Sequence, residues 1–258
     1  MKFIIPTFKR SEKQIFLSTM PEDFVSKHVA LIIQYQEKDK YTAYNVEKFV
    51  LPSRLDNMGL AETRQFVLEN FPEDKIVFFD DDISILKKVY IDGKPKYVKM
   101  EKDDWNVFFQ VLDETLSEVI HCGICFESIG IRTNQLIVNS RYMTVLGLNR
   151  IKVLETNSKF NIYPFSSAED VDMNLQLLTK GYPNRILTDY AISSKSWWSE
   201  GGCSAYRTQE SHKKCLEELH NRFPEFLTIY TDKKGQIKER VQWKKAFDSS
   251  KIKIRTLF

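Results

Sequence analysis

Three features of this sequence predict an α/β fold, a Rossmann-like mixed sheet flanked by helices. Short β-rich runs at residues 2–6, 29–33, 49–51 and 76–79 alternate with polar, helix-like stretches, the pattern of a parallel sheet with crossover helices. The apolar run Ile76-Val77-Phe78-Phe79 stops abruptly at three adjacent carboxylates, Asp80-Asp81-Asp82. Both the loop after Pro6 and this triplet fall at carboxyl ends of strands, where open α/β sheets bind their ligands.

Taken in order, residues 2–6 read as a first strand and Thr7-Phe8-Lys9-Arg10 as its loop. Two further strands follow at 29–33 and 49–51. Residues 60–70 form a helix opened at Gly59, with Leu60, Phe66, Val67 and Phe71 on its apolar side. The acidic-tipped strand comes next, then a hairpin over 89–98 with Asp92-Gly93 in its turn. Residues 103–120 place Trp105, Phe108, Phe109, Leu112 and Leu116 at helical spacing. Two or three strands fit between Cys122 and Val153. Residues 168–180 form a helix stopped by Gly181. After Gly201-Gly202 and two tryptophans, residues 208–223 are again helical. Residues 230–258 read as a hairpin around Lys233-Lys234-Gly235 and a basic tail. There is no internal repeat or evident linker. The simplest division is one domain over 1–225, with a first half at 1–100 and a second at 101–225, plus a small C-terminal appendage at 226–258.

The 258 residues are 42% hydrophobic and 28% charged, ordinary for a globular protein, with 18 Phe to fill a core. A net charge of +3 does not by itself announce a nucleic-acid partner. No apolar stretch is long enough to cross a bilayer and no signal-peptide pattern is present, so a cytoplasmic protein with no membrane partner is expected. Cys122 and Cys125 have C-x-x-C spacing. Ile124 and Phe126 beside them read as strand, which favours reduced, buried thiols over zinc. No G-x-G-x-x-G follows the first strand and no G-x-x-x-x-G-K-[ST] occurs, which argues against a dinucleotide cofactor and a P-loop.

The triplet is the strongest candidate for chemistry. On an extended chain Asp80 and Asp82 project to one side and Asp81 to the other. Two carboxylates about 5 Å apart repel by roughly 3 kcal/mol at an effective dielectric near 20. A divalent cation relieves this, and hard oxygen ligands suit Mg²⁺ or Mn²⁺; a solvated acidic loop or a helix cap is the plainer reading. Ser166-Ser167-Ala168-Glu169-Asp170-Val171-Asp172 has capping-box spacing from Ser166 to Glu169, with Val171, Leu175 and Leu178 as the buried face. That places Glu169 and Asp170 near an exposed helix start, where a general base could also stand. Lys9, Arg10, Arg54 and Arg64 could neutralise a metal–diphosphate, although a lone Arg on a helix is usually a solvated face. Trp197-Trp198-Ser199-Glu200-Gly201-Gly202 reads either as core filling or as a loop hinged at glycines.

Together these residues resemble GT-A glycosyltransferases. Ile4-Ile5-Pro6-Thr7-Phe8-Lys9-Arg10 resembles their first strand and loop. Gly59 to Arg64 followed by Phe79-Asp80-Asp81-Asp82 resembles their nucleotide-contacting helix and D-x-D motif, and Glu169-Asp170 their acceptor-side acids. The ordered set, ending in Gly201-Gly202-Cys203-Ser204 and Arg207-Thr208, is more similar still to the TET-associated glycosyltransferases of bacteriophages, over roughly residues 1–225. The resemblance implies a GT-A fold and an inverting, metal-dependent transfer from a nucleotide-sugar, a UDP-sugar, to a 5-hydroxymethylated pyrimidine in phage DNA. It implies donor contacts at Pro6, Thr7, Arg10, Arg64, Asp80 and Asp81, and metal ligands Asp80 and Asp82 with His212 as a third candidate. Asp170 is then the base, and Glu169, Trp198, Gly201 and Gly202 meet the acceptor. Lys195, Lys213, Lys214, Lys233, Lys234, Lys244, Lys245 and Arg255 would favour DNA or be ordinary surface lysines. A nucleotidyltransferase using the triplet, or a non-catalytic DNA- or sugar-binding protein on the same scaffold, are the alternatives.

Overall fold

A computed structural model of the chain describes residues 1–12, 14–132, 137–140, 145–161, 167–194, 208–233 and 235–255. Ten strands form one mixed sheet. Its first four, β1 (Lys2–Thr7), β2 (Val29–Ile33), β3 (Glu47–Val50) and β4 (Lys75–Phe78), are parallel in the order β3-β2-β1-β4. The order then continues through β9 (Leu146–Asn149), β7 (His121–Phe126), β10 (Asn184–Ser194), β5 (Ile83–Ile91) and β6 (Lys94–Lys99), and β8 (Ile137–Val138) also pairs with β10. β9 runs against both β4 and β7. The sheet is therefore Rossmann-like on one side and mixed on the other.

Helices cover both faces. α1 (Glu22–His28) and α3 (Lys102–Glu118) close one face, where Trp105, Phe108, Leu112 and Leu116 join Phe3, Ile5, Val77 and Phe79. α2 (Leu60–Asn70), α5 (Arg150–Glu155) and α6 (Glu169–Thr179) close the other, with Val67, Leu68, Met173 and Leu177 against Ile4, Phe78 and Leu146. The short α4 (Glu127–Gly130) follows β7. Beyond α6 lies a further layer of α7 (Gln209–Arg222), the ribbon β11 (Leu227–Thr231) and β12 (Ile237–Val241), and α8 (Trp243–Arg255). Its Cys215, Leu219, Leu227 and Ala246 pack on Val171 and Leu175.

Several expectations are refined. The stretch after β2 carries only 3-10 turns, at Tyr35–Glu37 and Ser53–Leu55, in place of a helix. The hairpin is β5–β6, with Asp92 and Gly93 both at positive φ (51° and 72°), but β5 begins directly after the triplet. Thus β4 ends at Phe78, and Asp81-Asp82 form a turn rather than continuing an extended strand. The anticipated basic tail is the helix α8. Trp243, Ala246, Phe247 and Ser250 have helical spacing, but Ala and Ser make the stripe too weak to read from hydropathy. Helix α6 is not one-faced: every residue from Val171 to Leu178 is buried, because the sheet takes one side and the C-terminal layer the other. It ends as expected, with Gly181 at φ 90° and Tyr182 N–H donating to the Leu177 carbonyl at 3.1 Å.

Cys122 and Cys125 lie on opposite faces of β7, in separate clusters, so they cannot share one metal. Cys122 sits against Gly147 of β9, where an added Cβ would come 2.7 Å from its sulfur. Gly147→Ala should therefore destabilise the protein by about 1–3 kcal/mol. The cost should shrink when Cys122→Ala is also present. Equal costs in the two backgrounds, by denaturant unfolding, would contradict this account of the contact.

Candidate active site

The site begins where β1 and β4 part. The Ile4 carbonyl accepts from Phe79 N–H at 2.9 Å, so by strand alternation the nitrogen of Pro6 faces the same side. β4 has stopped pairing there, so Pro6 interrupts no ladder bond. Thr7 then bridges the gap. Its hydroxyl donates to Asp81 Oδ2 at 2.8 Å and accepts from Gln14 Nε2 at 2.7 Å, with the Tyr41 hydroxyl 3.2 Å away. Arg10 ion-pairs with Asp81 and, at 3.0 Å, with Asp82. The Asp81 carbonyl accepts from Phe16 N–H at 3.0 Å. Asp81 is thus the buried anchor of the triplet, with its side chain 6% exposed, while those of Asp80 and Asp82 are 31% and 27% exposed.

Arg64 makes the second junction. It is 1% exposed, which rules out the solvated face that a lone helix Arg usually presents. Its Nη1 donates to Glu169 Oε1 at 2.9 Å and its Nη2 to Asp80 Oδ1 at 3.4 Å, with the guanidinium 5.4 Å from the Phe78 ring. Glu169 is buried as well, so it is not the exposed first-turn acid that its position in the sequence implies. Asp170 beside it is half-buried, with no ion pair or hydrogen bond to any described side chain. Asp172, the third acid of α6, is fully buried. It accepts from Arg222 Nη1 and Gln176 Nε2 at 2.6 and 2.7 Å, and from Asn161. Ser167 Oγ and His212 Nδ1 lie 2.7 Å apart, which holds the start of α7 against the residues leading into α6. Among the described residues no three His, Cys, Asp or Glu side chains converge as a metal-holding group, so His212 does not join Asp80 and Asp82 in one cluster here.

These contacts set the electrostatics. Burial pushes the Asp80 carboxyl up from the usual 3.8 to about 7; Arg64 opposes this, while Asp82, Glu169 and Asp81 add to it. Asp81 is also raised, by burial, against the pull of Arg10 and Thr7. The cleft holds more negative charge than its two arginines balance. Two half-exposed carboxylates of hard oxygen donors, one of them destabilised as an anion, fit a divalent cation that keeps its remaining positions for phosphate oxygens or water.

The structure brings together Thr7, Arg10, Arg64, Asp80, Asp81, Asp82 and Glu169, with Pro6 and Asp170 adjoining them. Trp198, Gly201 and Gly202 lie outside the described residues, as does Ser166. The capping box expected from Ser166 to Glu169 is not how α6 begins: Ala168 is its N-cap, at φ 60° and with no side-chain cap bond, so Glu169 is the first helical residue rather than the third. The buried partners Gln14 and Tyr41 were not anticipated: both are single polar residues in irregular segments. Nothing in local spacing links Arg64 to Glu169, 105 residues later.

A Rossmann-like half-sheet, an acidic turn at its carboxyl edge and a second acid pair on a facing helix make up a GT-A fold, and the family match makes the chain a glycosyltransferase. The chain belongs to the TET-Associated Glycosyltransferase family, whose pattern it matches over residues 1–202. It is 23% identical over 236 residues to the beta-glucosyl-HMC-alpha-glucosyl-transferase of Enterobacteria phage T2, covering 87% of this chain and 82% of that protein; the phage T6 enzyme matches equally. Among solved structures, S. aureus TarS in complex with UDP-GlcNAc superposes with a TM-score of 0.57 at 17% identity, over 87% of this chain and 67% of that one. Glucosyl-3-phosphoglycerate synthase from Mycobacterium tuberculosis, with Mn²⁺, UDP and phosphoglyceric acid, gives 0.51 at 9%, over 93% and 85%. These two likenesses show the fold alone.

The raised Asp80 carboxyl has a consequence for stability. The folded state holds its proton up to about pH 7, whereas the unfolded chain releases it near 3.8. The ionised group therefore costs stability increasingly as pH rises through that window. In metal-free buffer, Asp80→Asn should raise the melting temperature by several degrees at pH 8 and hardly at all at pH 4. An equal shift at both pH values, followed by circular dichroism, would contradict the account.

Proposed function

We propose that this protein transfers a sugar from a UDP-sugar to the hydroxyl of a 5-hydroxymethylated pyrimidine in phage DNA, within the cytoplasm of the host cell. The observation that carries the reading is Arg64. One buried guanidinium joins the triplet on the donor side to the Glu169-Asp170 helix start, in a chain of a glycosyltransferase family. The phage T2 and T6 relatives, by their names, act on glucosylated HMC, which supports hydroxymethylcytosine as the base; the acceptor hydroxyl is then on the base or on a sugar already attached to it.

Asp80 and Asp82 would hold Mn²⁺ or Mg²⁺, which when bound supplies Lewis-acid stabilisation of the departing diphosphate. Pro6 and Thr7 border the nucleoside at the opened edge of β1. Arg10, now spread over Asp81 and Asp82, and Arg64 supply fixed positive charge beside the diphosphate. Asp170 accepts the acceptor's proton as its oxygen bonds to the anomeric carbon. The bond from that carbon to the phosphate oxygen breaks, and the nucleoside diphosphate leaves with the electron pair. One attack from the face opposite the leaving group inverts the anomeric centre. Glu169 is committed to Arg64 and positions α6; Ser167 and His212 orient the junction that carries Asp170. Trp198, Gly201 and Gly202 belong to the acceptor side.

The test uses UDP-sugars, Mn²⁺, and DNA with or without hydroxymethylcytosine, reading UDP release and mass gain of the DNA. Asp82→Ala should abolish metal-dependent turnover while the protein stays folded. Asp170→Asn should still bind donor but lose transfer by about 10²–10⁴-fold. Wild-type transfer by Asp170→Asn would refute the base, a product with retained anomeric configuration would refute the single inversion, and release of pyrophosphate instead of UDP would refute the reaction class.

A further inference from the structure

Charge is unevenly placed along this chain. Residues 226–258 carry nine Lys and Arg against three Asp and Glu, a net of +6; with the whole chain at +3, residues 1–225 carry −3. Part of this excess, on the described residues, lies on one face. β11 and β12 pair antiparallel, with Leu227 opposite Val241, Thr228 opposite Arg240 and Tyr230 opposite Lys238. Alternation points Leu227, Ile229 and Val241 inward, where they pack with Phe226 and Ala246. The other set, Thr228, Tyr230, Lys238 and Arg240, is exposed.

That outward set is both basic and aromatic. The Arg240 guanidinium lies 5.3 Å from the Tyr230 ring. Lys238 is anchored by Asp232 at 2.6 Å. Lys244 and Lys245 are exposed in the first turn of α8, directly after β12. Of the three acids, Asp232 and Asp248 pair with Lys238 and Lys251, and Glu239 belongs to the inward-facing set. The candidate active site, in contrast, sets Asp80, Asp81, Asp82, Glu169 and Asp170 against Arg10 and Arg64 alone, and the cation proposed there serves the donor diphosphate, which leaves little positive charge for a DNA backbone. A polyanionic acceptor therefore has to be held somewhere else on the surface, and phosphate contacts supply most of the affinity for duplex DNA.

We propose that the outward face of the β11–β12 ribbon, with Arg240 and the first turn of α8 at Lys244 and Lys245, is the docking surface for the phosphate backbone of duplex DNA. This rests on the DNA acceptor proposed above. It lies beyond residues 1–202, the part matched by the family, and so assigns a role to a segment that the family match does not reach.

The test compares the wild type with the triple variant Arg240→Ala, Lys244→Ala, Lys245→Ala and with its charge-keeping counterpart Arg240→Lys, Lys244→Arg, Lys245→Arg. The probe is a labelled duplex of about 30 base pairs containing hydroxymethylcytosine, titrated by fluorescence anisotropy from 50 to 200 mM salt. Each lost phosphate contact lowers the slope of log affinity against log salt by about 0.9, so the alanine variant should lose roughly 2–3 from the slope and bind at least tenfold more weakly. The charge-keeping variant should stay near wild type. UDP release in the absence of DNA, and melting temperature, should be unchanged in all three proteins, because the described side-chain contacts of these residues are to Tyr230, Glu225 and Phe226 and none is to the triplet, Arg64 or Glu169. An alanine variant with wild-type slope and affinity overturns the docking surface while leaving the DNA acceptor standing. A wild-type enzyme that releases UDP but neither binds nor glycosylates the duplex overturns the acceptor reading, and the docking surface with it.

Discussion

The architecture of the site depends on one buried cation. Arg64 is almost wholly removed from water, and burying an isolated charge costs several kcal/mol unless it is paired and hydrogen-bonded. Glu169 and Asp80 supply that compensation from two different elements, the start of α6 and the edge of β4. The same contact therefore fixes the distance between the triplet and the helix that carries Asp170. Removing Glu169 would leave the guanidinium in the core relying on the longer contact to the partly exposed Asp80, so the two halves of the site cannot shift independently without a large penalty.

Around this pair the site keeps an excess of negative charge. Thr7 and Arg10 hold Asp81 in place, leaving Asp80 and Asp82 as the accessible members. Burial raises the proton affinity of Asp80, against the pull of Arg64 and with the neighbouring acids adding to it. This store of carboxylates is what the cation and diphosphate of the proposed function would neutralise. Positive charge gathers instead in the C-terminal layer, where residues 226–258 carry nine Lys and Arg against three Asp and Glu.

Much of this was legible in the sequence. Alternating β and helical periods gave the parallel half of the sheet, Gly181 gave the end of α6, and an apolar run broken by acids gave the triplet. Alternation along an extended chain separates Asp81 from its neighbours, although a turn rather than a continuous strand produces the separation. What escaped was long-range. Arg64 resembles any solvated helix arginine until Glu169 folds onto it, and Glu169 resembles any first-turn acid until Arg64 buries it. Likewise α6 hides its second apolar face because the layer that covers it comes later in the chain, and α8 hides behind a stripe of Ala and Ser.

The most direct test of this account is a double-mutant cycle on Arg64→Met and Glu169→Gln, measured by denaturant unfolding. Each single variant strands a buried polar or charged partner, and the double variant removes the pair together. The coupling energy should be about 1–3 kcal/mol, with the double variant more stable than the sum of the single losses implies. Losses that simply add, to within about 0.5 kcal/mol, would show that the two residues are independent and that Arg64 does not join the two halves of the site.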